Sequence, residues 1–333
     1  MLEIARARSE ELREAMRHPQ GVLALGVGNA FGARIVKTKG FKCVYGGGYY
    51  AAALRALLDK GLYPSDYMIQ HGRLLAKEVD IPVVLDMDAG GAGVLNIRKH
   101  VMDLLETAPV AMFHVEDQVE PKACGQMGGK SVHDFKTAVA RMKCVIDSRN
   151  ETRPDCLFMA RTDAFTAAGH HHDAETGGDI DEVIKRGCAY ADLGADIIWC
   201  EFPGSHLFRA YERFAEGIHK QYPNLPLGFN ISPSHTDWNA TSVTREKLNQ
   251  MGYKFLFCTY GLLYAEMLGG TWIFADAFKK DPIWALIGLM EQVRRHPEIG
   301  SINQFLDIAE ATAFEHRYDP TAAERFATSV GHR

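Results

Sequence analysis

The sequence contains no long apolar run and no cluster of basic residues. A membrane-spanning helix needs about 20 consecutive apolar residues, and no stretch of this chain approaches that length. The formal net charge is −5, and the absence of a basic run argues against nucleic acid as the main partner. The segment Met1 to Arg17 is charged and lacks the apolar centre of a signal peptide. These absences predict a cytoplasmic protein that binds neither a membrane nor a nucleic acid.

Cysteine pairs, nucleotide-binding glycines and interdomain linkers are also missing. The seven cysteines are scattered and none forms a C-x-x-C pair, so we expect reduced thiols and no structural zinc. No G-x-G-x-x-G pattern follows the first apolar run, which weakens the case for an open dinucleotide-binding sheet. No stretch rich in proline, glycine or serine marks a second domain. The 333 residues, of which 47% are hydrophobic, suit one large domain or two modest ones.

Eight short apolar runs alternate with helical patterns along the chain. Near-continuous apolar strands indicate a parallel sheet covered on both faces, and eight strand–helix units favour a closed (β/α)₈ barrel, the TIM-barrel fold of the α/β class. The predicted strands are 22–27, 43–45, 83–88, 111–117, 156–163, 197–202, 226–232 and 254–259. The predicted helices are 1–17, 29–38, 50–60, 66–79 with Ser65 as its cap, 95–106, 132–148, 179–193, 206–222, 242–251, 262–278, 283–295, 302–313 and 320–328.

The helices that follow the last strand are more numerous than a barrel needs. We expect a single domain over residues 1–333, with the barrel core at about residues 20–280. The helices of residues 281–333 are expected to pack on the outside of the barrel or on a neighbouring subunit.

Polar residues end the predicted strands, and the carboxyl ends of barrel strands carry the active site. Several carboxylates that meet there are usually compensated by a hard divalent cation. Asp86 and Asp88 are two residues apart, so on a strand both side chains point to one face. Arginine, amide and hydroxyl donors suit a substrate that carries carboxylates. The strand-end residues are Asp86, Asp88, Glu116, Arg161, Asp163, Glu201, Asn230, Ser232 and Thr259.

Two glycine-rich segments follow predicted strands, and glycine allows the backbone to approach a ligand closely. The first is the triplet Gly46, Gly47 and Gly48. The second spans residues 121–130 and places Cys124 between two lysines. A cysteine taken at random is more often an apolar filler than a reactive group, but this loop position favours a functional role for Cys124.

Some of these residues also have purely structural interpretations. Arg161 could form a purely structural ion pair with Asp163, but we predict that it acts at the site. Glu116 and Asp117 are adjacent and point in opposite directions on a strand, and we assign Glu116 to the metal. The run of three histidines at 170–172 looks like a metal cluster, but adjacent histidines on a loop rarely converge on one ion. We interpret it as a solvated loop.

Six motifs occur in a fixed order: V-E-D-Q at 115–118, K-A-C-G-Q-M-G-G-K at 122–130, A-R-T-D-A at 160–164, W-C-E at 199–201, N-I-S-P-S at 230–234 and M-G-Y-K-F at 251–255. Taken together they resemble the isocitrate lyase family of the isocitrate lyase and phosphoenolpyruvate mutase superfamily. The resemblance implies a (β/α)₈ barrel that binds Mg²⁺ or Mn²⁺ and cleaves a carbon–carbon bond in a 2-hydroxy acid. For isocitrate or methylisocitrate the products are a 2-oxo acid such as glyoxylate and a carboxylate such as succinate. It also implies a homotetramer with exchanged C-terminal helices.

The resemblance further implies a role for each matching residue. Cys124 is the general acid that protonates the carbanion, and Arg161 grips the oxo-acid fragment. The metal ligands are Asp86, Asp88 and Glu116, and the catalytic residues are Cys124, Arg161 and Glu201. The residues assigned to substrate binding are Gly46, Gly47, Gly48, Gly125, Gln126, Arg161, Asn230, Ser232, Ser234 and Thr259.

Three departures from the family's pattern bear on the substrate. Isocitrate lyases read K-K-C-G-H where this chain reads K-A-C-G-Q, so Ala123 removes a cation beside the thiol and Gln126 cannot exchange a proton. The triplet 46–48 replaces S-G-W and reshapes the glyoxylate end of the pocket. Cleavage of oxaloacetate or dimethylmalate and turnover of phosphonopyruvate therefore stay open. The alternative from another class is a barrel that binds a metal or ligand without catalysis.

Overall fold

The structure is a computed structural model that describes residues 2–127, 129–170, 173, 175–203, 208–232, 243–319 and 321. The chain divides into two compact units, Met1–Leu263 and Tyr264–Arg333. The first unit contains eight strands, and the described part of the second is helical. The division lies just after the last strand, which ends at Cys258, whereas the sequence suggested a barrel limit near residue 280.

Eight parallel strands close into a barrel in chain order, which confirms the predicted (β/α)₈ fold. The strands are β1 (Val22–Gly26), β2 (Val44–Gly46), β3 (Val83–Asp86), β4 (Met112–Glu116), β5 (Leu157–Thr162), β6 (Ile197–Cys200), β7 (Leu227–Asn230) and β8 (Tyr253–Cys258). Because β1 pairs with both β2 and β8, the sheet has no free edge. Every residue of β3, β4, β5 and β6 is buried, as a sheet covered on both faces requires.

Helices surround the barrel and continue into the second unit. They are α1 (Leu2–Arg17), α2 (Ala30–Thr38), α3 (Gly48–Ala53), α4 (Ser65–Glu78), α5 (Val94–Thr107), α6 (Phe135–Thr152), α7 (Ile180–Asp192), α8 (Phe208–His219), α9 (Arg245–Gln250), α10 (Gly261–Ala265), α11 (Ile273–Lys280), α12 (Pro282–Arg295), α13 (Ile302–Phe305) and α14 (Ile308–Tyr318). A 3₁₀ turn at Ala164–Thr166 follows β5, and a π-helix at Glu266–Trp272 joins α10 to α11.

Helix α3 is much shorter than the predicted helix 50–60. The sequence there favours a helix, but Ala56 has a left-handed backbone with φ 55°, which ends the helical path. The following segment instead folds as turns up to α4. The expected cap was also wrong, because Pro64 is the N-cap of α4 and Ser65 is its first helical residue. A second correction concerns predicted helix 302–313, which is split at Asp307, where φ is 60°.

Two hydrophobic clusters hold the first unit together. One lies between the barrel and its outer helices, and the other fills the barrel interior. Leu12 and Met16 of α1 belong to the interior cluster, so α1 closes the barrel at the end where the strands begin. Ser9 Oγ donates a hydrogen bond to the backbone oxygen of Ala111, just before β4, over 3.1 Å. The opposite end, where the strands finish, is left for the site.

The second unit has no buried residue within its described part, residues 264–319 and 321. Its large apolar side chains include Trp272 and Trp284, which are 67% and 69% exposed, and Ile283, which is 68% exposed. Helices with this much apolar surface are normally covered by another surface. Among the described residues, no helix combines the length and the apolar character that crossing a membrane would require.

Candidate functional site

Asp86 and Asp88 lie together where β3 ends. Asp86 is the last residue of the strand, and Asp88 lies beyond it with a left-handed backbone, φ 50°. The two carboxylates therefore converge because the chain turns, and not because of strand periodicity. Asp86 Oδ1 accepts a hydrogen bond from Asp88 N and Oδ2 accepts one from Gly48 N, both over 2.9 Å. A left-handed non-glycine residue at this point is the kind of backbone strain found at functional sites.

Gly48 packs tightly against these carboxylates. A Cβ built on Gly48 would lie 3.0 Å from Asp88 Oδ1, 3.1 Å from Asp86 Oδ2 and 2.8 Å from Tyr63 Oη. Three side-chain oxygens thus surround one point, and any larger residue would displace them. A Cβ on Gly47 would meet Tyr45 and Thr259, whereas one on Gly46 would meet Leu75 and Leu85 in the packing outside the barrel.

Arg161, at the end of β5, is held by two carboxylates. Its Nε and Nη2 donate to Asp163 Oδ2 and Oδ1 over 2.8 and 3.0 Å, so the ion pair with Asp163 is present. Its Nη1 lies 2.9 Å from Glu116 Oε2. The guanidinium also lies over the Trp199 ring, 4.3 Å from its centre. The two hydrogen bonds to Asp163 use two of the five N–H groups of arginine, and Glu116 adds an ion pair without a hydrogen bond, so the residue is oriented before any ligand binds.

Lys122 brings a buried positive charge to the acidic cluster. Its Nζ lies 2.6 Å from Asp59 Oδ1 and 2.6 Å from Asp88 Oδ1, and its side chain is only 3% exposed. Asp59 and Tyr63 were missed by the sequence reasoning because they fall in and just after the predicted helix 50–60. Gly61 and Pro64 were the available signals, since both residues disfavour a continuing helix.

The cysteine loop lies directly over the strand ends. Cys124 N donates to the backbone oxygen of Asp59 over 3.0 Å. Gln126 Nε2 donates to Glu201 Oε1, and Lys130 Nζ donates to the backbone oxygen of Gly125. A Cβ on Gly125 would overlap Arg161 Nη2, so only glycine allows the loop to approach this closely. The loop thus places Cys124 near the cluster that holds the carboxylates.

A chain of polar side chains crosses the ends of β6, β7 and β8. Thr259 Oγ1 donates to Asn230 Oδ1 over 3.1 Å, and Asn230 Nδ2 donates to Glu201 Oε1 over 3.2 Å. Ser232 is buried, and its Oγ donates to Tyr260 Oη over 3.3 Å. The structure therefore brings together Glu201, Asn230 and Thr259, while Ser234 lies outside the described residues.

Burial keeps the Cys124 thiol protonated. It raises the pKa of this thiol to about 11, aided by the Asp59 carboxylate and opposed by the Gln126 N–H. Ala123 stands where isocitrate lyases have a lysine, and the absence of that positive charge beside the thiol is consistent with a raised pKa. A protonated thiol suits proton donation rather than nucleophilic attack. Burial also raises the pKa of Glu201 and of Glu116.

The two aspartates differ in their ionisation. Burial alone would raise the pKa of Asp86, but His114, Lys122 and Arg161 outweigh it and hold that pKa at about 2. Burial raises the pKa of Asp88 to about 6, against the opposing charge of Lys122. Two carboxyls that share a site titrate far apart in this way. A divalent cation would favour the ionised form of both.

The donor set fits a hard cation that keeps part of its hydration. Asp86 is oriented by two backbone amides, and Glu116 Oε1 has no hydrogen-bond partner among the described residues. No three His, Cys, Asp or Glu side chains in that part of the chain lie close enough to hold an ion by themselves. Mg²⁺ typically binds one or two carboxylates and completes its shell with water and substrate oxygens. Asp86 and Asp88 fit that pattern, with Glu116 nearby.

Two other residues have contacts that serve the fold. Asp117 Oδ2 accepts from Arg186 Nη1 over 3.0 Å and from Tyr190 Oη over 2.8 Å, and its Oδ1 accepts from Asp163 N over 2.9 Å. Asp117 is therefore the structural member of the Glu116–Asp117 pair. His170 lies beside Asp179 at 3.5 Å, and His171 and His172 are outside the described residues.

Comparisons with known proteins agree with this geometry. A family model described as phosphoenolpyruvate phosphomutase matches residues 12–268. The chain is 31% identical to an isocitrate lyase of Haloferax volcanii, covering 97% of this chain and 90% of that protein. It is 28% identical to the 2,3-dimethylmalate lyase of Eubacterium barkeri, covering 92% of this chain and 97% of that protein.

A third relative is a probable 2-methylisocitrate lyase of Corynebacterium glutamicum, 35% identical over 78% of this chain and 77% of that protein. Among solved structures, a 2,3-dimethylmalate lyase superposes with a TM-score of 0.78 at 23% identity, covering 98% of this chain and 99% of that one. At 23% identity, this structural similarity is evidence for the fold alone.

Proposed function

The chain belongs to the isocitrate lyase and phosphoenolpyruvate mutase superfamily, and from this premise we propose that it is a Mg²⁺- or Mn²⁺-dependent oxo-acid lyase. It would cleave a 2-hydroxy di- or tricarboxylate of the isocitrate or methylisocitrate type. The products would be a 2-oxo acid such as glyoxylate and a carboxylate such as succinate. The observation that carries this proposal is the half-buried Cys124 thiol, whose pKa is raised, in a loop packed against Arg161 and Glu201 beside a pair of carboxylates.

In the proposed reaction each group has a defined task. A bound divalent cation, held by Asp86 and Asp88 with Glu116 nearby, would lower the energy of negative charge on the substrate's 2-hydroxyl and carboxylate oxygens. Arg161 binds the carboxylate of the oxo-acid fragment, and its two ion pairs fix its direction. The loop of residues 122–130 excludes water from above.

Bond cleavage leaves negative charge on the carboxylic acid fragment. A base removes the hydroxyl proton, the electrons of the carbon–carbon bond pass to the departing carbon, and the resulting carbanion is delocalised into its carboxylate. Amide and hydroxyl donors of Asn230, Ser232, Ser234 and Thr259 stabilise that charge. The Cys124 thiol then delivers its proton to carbon, as a general acid with a high pKa does.

A second candidate reaction is cleavage of 2,3-dimethylmalate or oxaloacetate. It is favoured by the near-complete coverage of a relative that is named a 2,3-dimethylmalate lyase. Turnover of phosphonopyruvate ranks lower because phosphoryl transfer makes no use of a protonated thiol such as that of Cys124.

The deciding experiment is an NMR cleavage assay with Mg²⁺ or with EDTA. The panel contains isocitrate, 2-methylisocitrate, 2,3-dimethylmalate, oxaloacetate and phosphonopyruvate. Metal-dependent cleavage of a carbon–carbon bond in at least one of the first four supports the proposal, and which one is cleaved defines the substrate. Cys124→Ser is the matched variant, and it is expected to bind substrate but not to turn it over. An absence of turnover with every substrate would contradict the lyase assignment.

The assembly proposed for this enzyme is a homotetramer in which the helices of the second unit pack on neighbouring subunits. The support is the apolar surface of α11, α12 and α14, where Trp284 is 69% and Phe314 is 62% exposed. Light scattering after gel filtration measures the mass directly. A monomeric mass at micromolar concentration would refute the proposed tetramer. The variant Trp284→Glu is expected to form smaller species than the wild-type protein.

A further inference from the structure

Tyr63 lies next to the carboxylate pair, on the segment that joins α3 to α4. Its side chain is 8% exposed. The ring packs edge-on against Tyr67 with 5.5 Å between the ring centres, and the Arg55 guanidinium lies 3.4 Å from the centre of the Tyr67 ring. The aromatic part of Tyr63 is therefore fixed by its neighbours, and its hydroxyl has a defined direction.

The Tyr63 hydroxyl has no hydrogen-bond partner among the described residues. Together with Asp86 Oδ2 and Asp88 Oδ1 it surrounds Gly48, since a Cβ on that glycine would lie 2.8 Å from the hydroxyl oxygen and 3.1 and 3.0 Å from the two carboxylate oxygens. A buried hydroxyl without a partner is costly, and tyrosine hydroxyls in protein interiors normally have one. A tyrosine hydroxyl carries a proton that it can donate to a hydrogen bond.

The carboxylates around Tyr63 have other contacts. Both oxygens of Asp86 accept backbone N–H groups, and Asp88 Oδ1 forms an ion pair with Lys122 Nζ at 2.6 Å, although it accepts no hydrogen bond from the described residues. The Tyr63 hydroxyl is bonded to neither carboxylate and is available for an oxygen that arrives with a ligand. An anionic oxygen is the best match, since hydrogen bonds to charged acceptors are the stronger ones.

We propose that Tyr63 is a ligand-binding residue whose hydroxyl donates a hydrogen bond to an anionic oxygen of the oxo-acid fragment bound at the Asp86–Asp88 pair. This inference rests on the proposed function, because it takes the ligand to be a small carboxylate. It extends that function by assigning a neutral donor on the α3–α4 segment in addition to the charged donor Arg161. Tyr63 thus selects ligands that place a carboxylate or oxo oxygen beside the acidic pair.

The test is the affinity of oxalate, a stable two-carboxylate probe, measured by isothermal titration calorimetry in the presence of Mg²⁺. Tyr63→Phe removes one oxygen and keeps the ring, and is expected to weaken oxalate binding about tenfold or more, as the loss of a hydrogen bond to a charged group does. Tyr67→Phe is the matched control, since its hydroxyl makes only a 3.4 Å contact with the Ala51 oxygen. It is expected to change the affinity less than about twofold.

The outcomes separate this inference from the lyase proposal. Oxalate affinity in Tyr63→Phe that equals wild type and Tyr67→Phe overturns the role of Tyr63. The same result with a raised unfolding temperature would show that the hydroxyl only bound water, which also overturns it. Weaker oxalate binding in Tyr63→Phe, without cleavage of any panel substrate by wild type, upholds the inference and contradicts only the lyase assignment. Failure of wild type to bind oxalate with Mg²⁺ counts against both.

Discussion

Replacing Lys122 with methionine is expected to destabilise the metal-free protein by about 3 kcal/mol at neutral pH. The Lys122 ammonium lies 2.6 Å from Asp59 and 2.6 Å from Asp88, and the three side chains are 3%, 6% and 16% exposed. Methionine has a similar length, so packing is largely kept while two buried carboxylates lose their counter-charge. Breaking a buried ion pair from one side typically costs about 3–5 kcal/mol.

We expect the lower end of that range because Asp88 can be relieved by protonation. Burial already raises its pKa to about 6, and removing Lys122 raises it further. An acid whose folded pKa is raised loses folded-state stability as pH rises, so the variant is expected to recover part of the loss at about pH 5. Saturating Mg²⁺ is expected to recover part of it at neutral pH, since a cation that binds only the folded state stabilises it.

Urea unfolding at the two pH values, with and without Mg²⁺, measures all of these effects. Lys99→Met is the matched control. Lys99 pairs with Asp103 on the exposed face of α5, a contact worth at most about 0.5 kcal/mol. A loss below about 1 kcal/mol for Lys122→Met at neutral pH, or a larger loss at about pH 5 than at neutral pH, would refute the reasoning.

Three further predictions concern the site and its support. Gly48→Ala is expected to lower kcat/KM at least about tenfold, because its Cβ would displace the Asp86 and Asp88 oxygens. Gly288→Ala is the control and should leave kcat/KM unchanged, since no heavy atom lies within 4 Å of its Cβ position. Equal kcat/KM values for the two variants would contradict the prediction. Deprotonation of Cys124 removes the proposed general acid, and it should lower kcat only as the pH approaches about 11, because partial burial and the Asp59 carboxylate raise the pKa of this thiol. A pH profile in which kcat already falls near the ordinary thiol pKa would show that this pKa is not raised during turnover. Asp117→Asn should lower the free energy of unfolding, measured in urea, by about 2–4 kcal/mol, because Arg186 loses its buried carboxylate partner. Near wild-type stability would show that the Asp117–Arg186 ion pair does not stabilise the fold.

The order of strands and the position of the site follow from the sequence. Eight apolar runs separated by helical patterns require a parallel sheet covered on both faces, and eight units close it into a barrel. Polar residues at the ends of those runs must then meet at one end of the barrel. Asp86, Glu116, Arg161, Glu201 and Asn230 could therefore be named from the sequence, because strand ends are local features that a short pattern reveals.

Other parts of the site depended on the tertiary structure. Asp59 and Tyr63 enter it only because Ala56 ends α3 and turns the chain, which helix propensity does not predict. Asp88 joins Asp86 through a left-handed backbone beyond the strand rather than through strand alternation.

The protonation states of the site residues could not be predicted from the sequence. The Lys122 ammonium lies between Asp59 and Asp88, which are far from it in the chain, and partial burial together with the Asp59 carboxylate raises the pKa of the Cys124 thiol. Composition and motif spacing specify which groups are present. Their charge is decided by burial and by non-local neighbours, because both act through distance in space rather than along the chain.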